Sequence, residues 1–186
     1  MNHSFISSGV VYASPDFPCR CEVLADELYK GEIVVRCLDE NSGADARVSL
    51  SVYDAKCIAD DILSGDFDMM ASFAFESCHD YGIDDFIEIF NHSGGGSEFD
   101  DYGKENIVSR QLHLSAACTG TWKLEVLVGP GIAEKNGMVY LGGMPTTYVS
   151  ALLTRKDLRS FAHALDIAVS AWGNSKFGSF GAQEPA

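Results

Sequence analysis

Cys78 stands beside His79, and a thiol next to an imidazole is the raw material of a nucleophile and its base. Adjacent side chains diverge on any regular element, and no third polar partner marks the pair. The two read as a structural cysteine beside a surface histidine. Cys19-Arg20-Cys21 is the close pair among six cysteines. With no second pair and no histidine cluster at ligand spacing, no metal site is expected. Cys37, Cys57 and Cys118 fall inside or at the end of apolar patterns, where reduced thiols serve as small hydrophobes. The neighbouring acids Asp60/Asp61, Asp84/Asp85 and Asp100/Asp101 read as solvated faces rather than as general acid and base. Gly94-Gly95-Gly96 has no Lys-Ser/Thr behind it, so it is no phosphate loop. A Gly-x-Ser-x-Gly elbow is absent, and His3, His79, His92, His113 and His163 stand singly. These patterns predict neither an enzyme nor a cofactor.

Charge carries more information. Residues 1–103 hold 5 Lys/Arg against 21 Asp/Glu, a net of −16, whereas residues 104–186 hold 8 against 6, a net of +2. Between Lys56 and Lys104 there is no basic residue. Such asymmetry speaks to partners and solubility rather than to fold. The chain begins without a basic n-region or an apolar h-region, and no run reaches the roughly 18 apolar residues of a membrane span. A cytoplasmic protein with no membrane partner is expected.

The elements that must position any site follow from periodicity. Cys21–Ala25, Glu32–Leu38 and Arg47–Ser51 read as strands, with a turn at Asn41-Ser42-Gly43. Ser51 then caps a helix whose apolar residues are Ala55, Ile58, Ala59, Ile62 and Leu63, ended by Gly65. Ser72–Glu76 and Phe86–Phe90 alternate like strands, although Met69, Met70 and Phe73 equally continue a helix. Gln111–Ala117 and Trp122–Val128 read as half-buried strands, the second stopped by Gly129-Pro130-Gly131. Met138–Leu141 and Thr146–Leu152 follow, before and after the loop Gly142–Pro145. Thr154 and Asp157 open a last helix with Leu158, Phe161, Ala162, Leu165, Ala168, Val169 and Trp172 on its apolar side, ended by Gly173-Asn174.

The expected architecture is α+β: an antiparallel sheet built from two strands-then-helix units, with two helices packed on it. The units run over 1–92 and 106–174, joined by a flexible acidic loop over 93–105 and followed by a mobile tail over 175–186.

Two binding roles suit this outline. The repeated unit resembles the Whirly and positive-cofactor-four-like fold. Tyr29-Lys30-Gly31-Glu32-Ile33-Val34-Val35 is similar to that family's Tyr-Lys-Gly-Lys-Ala-Ala strand, with Glu32 where the family carries a lysine. Thr154–Leu158, running through Phe161 to Trp172, is similar to its closing helix. The outline spans roughly two thirds of the chain, the motif itself only Tyr29 to Gly31. The resemblance implies single-stranded nucleic acid as partner. Such binding wants cations interleaved with aromatics, and the second unit offers Arg110, Trp122, Lys123, Lys135, Tyr140 and Tyr148. The net charge of −14 opposes a polyanion at long range. The second role is that of an acidic inhibitor, of the toxin-immunity or phage anti-defence kind or a nucleic-acid mimic. It would cover a basic protein surface with Asp80, Asp84, Asp85, Glu88, Glu98, Asp100 and Asp101. Self-association is compatible with either.

Overall fold

The computed structural model describes residues 5–12, 19–26, 32–77 and 85–177, with the backbone alone for 5–12, Asp26 and 173–177. Tyr29-Lys30-Gly31, Cys78-His79, Asp80, Asp84 and the stretch 178–186 lie outside the described residues.

Strands β1 (Phe5–Tyr12), β2 (Cys19–Asp26), β3 (Glu32–Asp39) and β4 (Asp45–Ser51) form an antiparallel sheet in chain order. β4 shows why. Ala46, Val48 and Leu50 are buried while Asp45, Arg47 and Ser49 face water, the period-two pattern of a sheet with one dry face. The β3–β4 turn is held by the Asp39 carboxylate, which accepts from Ser42 Oγ at 2.6 Å and Asn41 N at 2.9 Å.

Helix α1 (Val52–Ser64) starts where Ser51 Oγ accepts the Asp54 N–H at 3.0 Å, and it buries Ala55, Ile58, Ala59 and Ile62. A cap of this kind stabilises a helix by about 1 kcal/mol. Gly65 ends it in the left-handed conformation, φ 88°. Helix α2 (Asp66–Ser77) follows at once. Residues 72–76 are therefore helical, and the described residues hold three helices rather than two. The alternation at Ser72–Glu76 misleads because α2 buries only Phe67 and Ala71 and leaves most of its apolar side chains outside.

The second sheet is antiparallel, in the order β5 (Phe86–Phe99), β6 (Glu105–Ala117), β7 (Trp122–Ala133), with β8 (Val139–Leu141) and β9 (Thr147–Leu153) sharing β7's far side. Two expectations fail here. Residues 93–99 are strand rather than flexible loop, paired with β6 from Ser93↔Gln111 to Phe99↔Glu105, and only 100–104 turn. Gly95 serves close approach: a Cβ there would stand 2.0 Å from the Val108 carbonyl oxygen. Gly129-Pro130-Gly131 likewise does not stop β7. A Cβ on Gly129 or Gly131 would meet Leu141 or Val139 below 3 Å, so the glycines admit β8. The Pro130 carbonyl accepts from Gly142 N at 2.8 Å where β7 exchanges β9 for β8.

Helix α3 (Arg155–Phe177) opens on a reciprocal cap. Thr154 N donates to Asp157 Oδ2 at 3.0 Å and Asp157 N to Thr154 Oγ1 at 3.2 Å. It continues past Gly173-Asn174, so 175–177 are helix rather than tail. α3 lies against α1 and against β1 and β2 of the first sheet, not chiefly on its own strands. Ile33, Val35 and Leu50 share one hydrophobic cluster with Leu114, Leu124, Phe161 and Leu165. The two strands-then-helix stretches complete a common core.

Candidate interaction surface

The six residues expected to contact nucleic acid are dispersed. Trp122, only 3% exposed, belongs to the core and offers no stacking face, which corrects its expected role. Arg110 clasps the rim between the sheets. Its Nε and Nη2 donate to the two Glu98 carboxylate oxygens at 2.9 and 3.1 Å, and Nη1 donates to the Arg47 carbonyl at 3.0 Å. Lys123 and Tyr148 do share one sheet face, but both engage Glu125: Lys123 Nζ at 3.1 Å and the Tyr148 hydroxyl by donation. Lys123 also lies 4.8 Å over the Phe86 ring. Burial first and then the Glu125 carboxylate push the Tyr148 phenol up to about 12. Lys135 occupies the β7–β8 turn and Tyr140 the short strand β8, where its hydroxyl donates to Met138 Sδ at 3.3 Å.

The acidic set is split as well. Asp85 and Glu88 lie at the start of β5, Glu98 at its end, and Asp100 and Asp101 in the turn beyond. At roughly 3.3 Å per residue the two groups stand on the order of 40 Å apart, too far for one small patch. Glu88 accepts from His113 Nδ1 at 3.0 Å, and His113 Nε2 meets Gln111 Oε1 at 2.9 Å. Asp100 accepts from the Tyr102 and Lys104 amides at 3.0 and 2.9 Å, so it holds its own turn.

What gathers in one place is a surface that sequence reasoning passed over. On α2, Met69, Met70 and Phe73 are 53, 47 and 62% exposed. Their helix carries Asp66, Asp68 and Glu76 and no basic residue. Asp68 alone has a described cation, Arg155 of α3, at 2.7 Å. At the α1–α2 joint, burial raises the Asp61 carboxyl above its usual range, and Asp66 and Asp60 push it further. Behind the helix lies a cavity of about 320 Å³, floored by Ala71, Phe75, Ala116, Ala117 and Trp122 and rimmed by the Asp68–Arg155 pair. The signal was present in the sequence. Met69, Met70 and Phe73 are too many apolar residues for a helix already anchored through Phe67 and Ala71.

Cys19, Cys21 and Cys37 meet inside the first sheet, where Cys21 and Cys37 face each other across β2 and β3 with sulfurs 2.9 Å apart. Cys21 and Cys37 hydrogen-bond to Cys19 and hold its thiol below the ordinary range; the bonds to Cys19, together with burial, raise the other two. Among the described residues no group of three or more His, Cys, Asp or Glu is arranged to hold a metal ion. No helix among them is long and apolar enough to cross a membrane. No protein-family model, curated protein or solved structure matches the chain.

Proposed function

We propose that this chain is a non-enzymatic binding protein that acts in the cytoplasm by covering a basic surface on a partner protein. The observation that carries this reading is α2, a helix with exposed Met69, Met70 and Phe73 set among carboxylates and no lysine or arginine. Contiguous exposed apolar residues rimmed by charge mark interaction sites in soluble proteins. Methionine adapts to varied partners, while the carboxylates steer cationic ones and disfavour anionic ones. The inhibitory surface is thus α2 rather than the divided acids of β5. The test is to identify the partner by cross-linking from position 70 and then to measure its purified binding. Replacing Met69, Met70 and Phe73 together by glutamine should weaken it by about tenfold or more. Association should also slow with salt. Unchanged affinity in the triple variant overturns the reading.

Single-stranded nucleic-acid binding is the second reading, favoured by the order of strands and helices among the described residues, in which four strands precede α1 and α2 and five strands precede α3. Lys123, Lys135, Tyr140 and Tyr148 remain its available contacts, and Trp122 drops out. Labelled single-stranded DNA titrated at two salt concentrations decides it. Absence of binding at low salt with micromolar protein removes this role.

A further inference from the structure

Three thiols converge inside the first sheet, and the strand register explains why. Cys21 and Cys37 are direct partners in the antiparallel pairing of β2 and β3. Opposite residues of such a pair stand about 4.5 to 5.5 Å apart at Cα, within the span that a disulfide bridges. Their sulfurs lie 2.9 Å apart, so side-chain rotation alone closes the gap to a bond of about 2.05 Å. Cys19, two residues back on β2, points to the same face and hydrogen-bonds to both. Its own cross-strand partner is Asp39, so no thiol stands opposite it. A cysteine that merely fills the sheet face as a small hydrophobe needs no sulfur partner.

The three differ in what can reach them. Cys19 is 6% exposed at the start of β2, against 1% for Cys21 and 0% for Cys37. Hydrogen bonds from Cys21 first and then Cys37 hold the pKa of its thiol down to about 4, so Cys19 is a thiolate at neutral pH. The thiolate is the form that attacks an oxidant, and a low-pKa thiol is also the better leaving group.

We infer that Cys19, Cys21 and Cys37 form a redox site where a hydroperoxide oxidises Cys19 first and the oxidation settles as a Cys21–Cys37 disulfide. The Cys19 thiolate attacks one peroxide oxygen; an S–O bond forms, the O–O bond breaks, and the leaving oxyanion takes a proton from water. The Cys37 thiol attacks the resulting sulfenic sulfur, and water leaves as the S–S bond forms. Cys21 then attacks the Cys37 sulfur and expels Cys19 as thiolate, its proton neutralising the hydroxide left by the first step. Two thiols are oxidised, and the hydroperoxide is reduced to an alcohol and water. The site stands apart from α2 and does not depend on what that helix binds.

The test is hydrogen peroxide on the native full chain, followed by alkylation in denaturant and tryptic mass spectrometry. Trypsin cuts after Arg20, Lys30, Arg36 and Arg47, which puts the three cysteines in separate peptides. Peptide 21–30 should appear linked to peptide 37–47, and dithiothreitol should release it. Cys19→Ala should slow formation of that link by about tenfold or more without changing its position. The linked peptides of the unsubstituted chain decide the disulfide even if the variant folds poorly. Three alkylated, unlinked thiols after peroxide has oxidised the exposed Cys118 overturn the site. So does a link to Cys57, Cys78 or Cys118 in place of the Cys21–Cys37 bond. An equal rate in a Cys19→Ala chain with native circular dichroism overturns the order of attack, and the inference with it.

Discussion

Trp172, near the end of α3, donates from its indole Nε1 to the backbone carbonyl of Glu32 at 3.2 Å. The last helix is thereby tied to the start of β3, 140 residues away in sequence. This bond and the cluster shared by the two sheets make the halves interdependent. Trp172→Phe keeps most of the packing and loses the bond, at a cost of about 1 kcal/mol. Trp172→Ala should cost about 3 kcal/mol. Urea unfolding of either variant should remain a single transition by fluorescence and circular dichroism. Two separated transitions would show that the halves fold independently.

Asp45 receives two hydrogen bonds from Arg36, at 2.9 and 2.8 Å, and two from Arg47, from Nη2 at 3.1 Å and Nε at 3.4 Å. Arg36, aided by Arg47, lowers its carboxyl to about 2 against a burial effect of opposite sign. A depressed carboxyl stabilises the fold above its unfolded pKa, and that contribution disappears as pH falls through about 2. Asp45 is partly exposed, so the neutral-pH contribution is about 1 kcal/mol after solvent screening. Asp45→Asn should lose that amount at pH 7 and nothing near pH 2. Denaturation midpoints measured at both pH values check it.

Gly131 has no room for a side chain: an added Cβ would lie 2.7 Å from Val139 Cγ1 and 2.9 Å from the Ser109 backbone nitrogen. A clash with backbone is not relieved by a rotamer change. Gly131→Ala should destabilise by about 2 kcal/mol and loosen β8 from β7. Amide exchange at Val139–Leu141 should rise more than at β9. Equal protection in both strands would contradict the account of the glycines.

The three thiols of the first sheet should titrate unequally. Cys19 is held low because Cys21 and Cys37 hydrogen-bond to it. Cys37→Ala removes one of these bonds and should raise the Cys19 pKa, seen as a later rise in thiolate absorbance with pH. A curve unchanged by the substitution would mean that the cluster does not tune Cys19.

The residue pattern alone settled much of the fold. Alternation in β4 and β7, the Ser51 cap, the Gly65 stop and the Thr154–Asp157 cap are local, because each depends on neighbours within a few residues. So the α+β class with antiparallel sheet and helices packed on it was legible before any coordinates. Glycine was misread for a physical reason. Gly94-Gly95-Gly96 and Gly129-Pro130-Gly131 look like breaks by composition, but Gly95, Gly129 and Gly131 lie against strands distant in sequence that need the space a Cβ would fill. Such a need is invisible within a window of a few residues.

The functional surface divides along the same line. That residues 57–103 lack a cation was written in the sequence, as was the supply of aromatic and methionine side chains around it. Only the tertiary structure decided which of those side chains reach water. Phe67 and Ala71 turn inward, Met69, Met70 and Phe73 outward, and Trp122 passes from expected ligand contact to core. Burial depends on what packs opposite, and the facing residues Ala116, Ala117 and Arg155 come from elements that begin roughly 40 to 90 positions further along the chain.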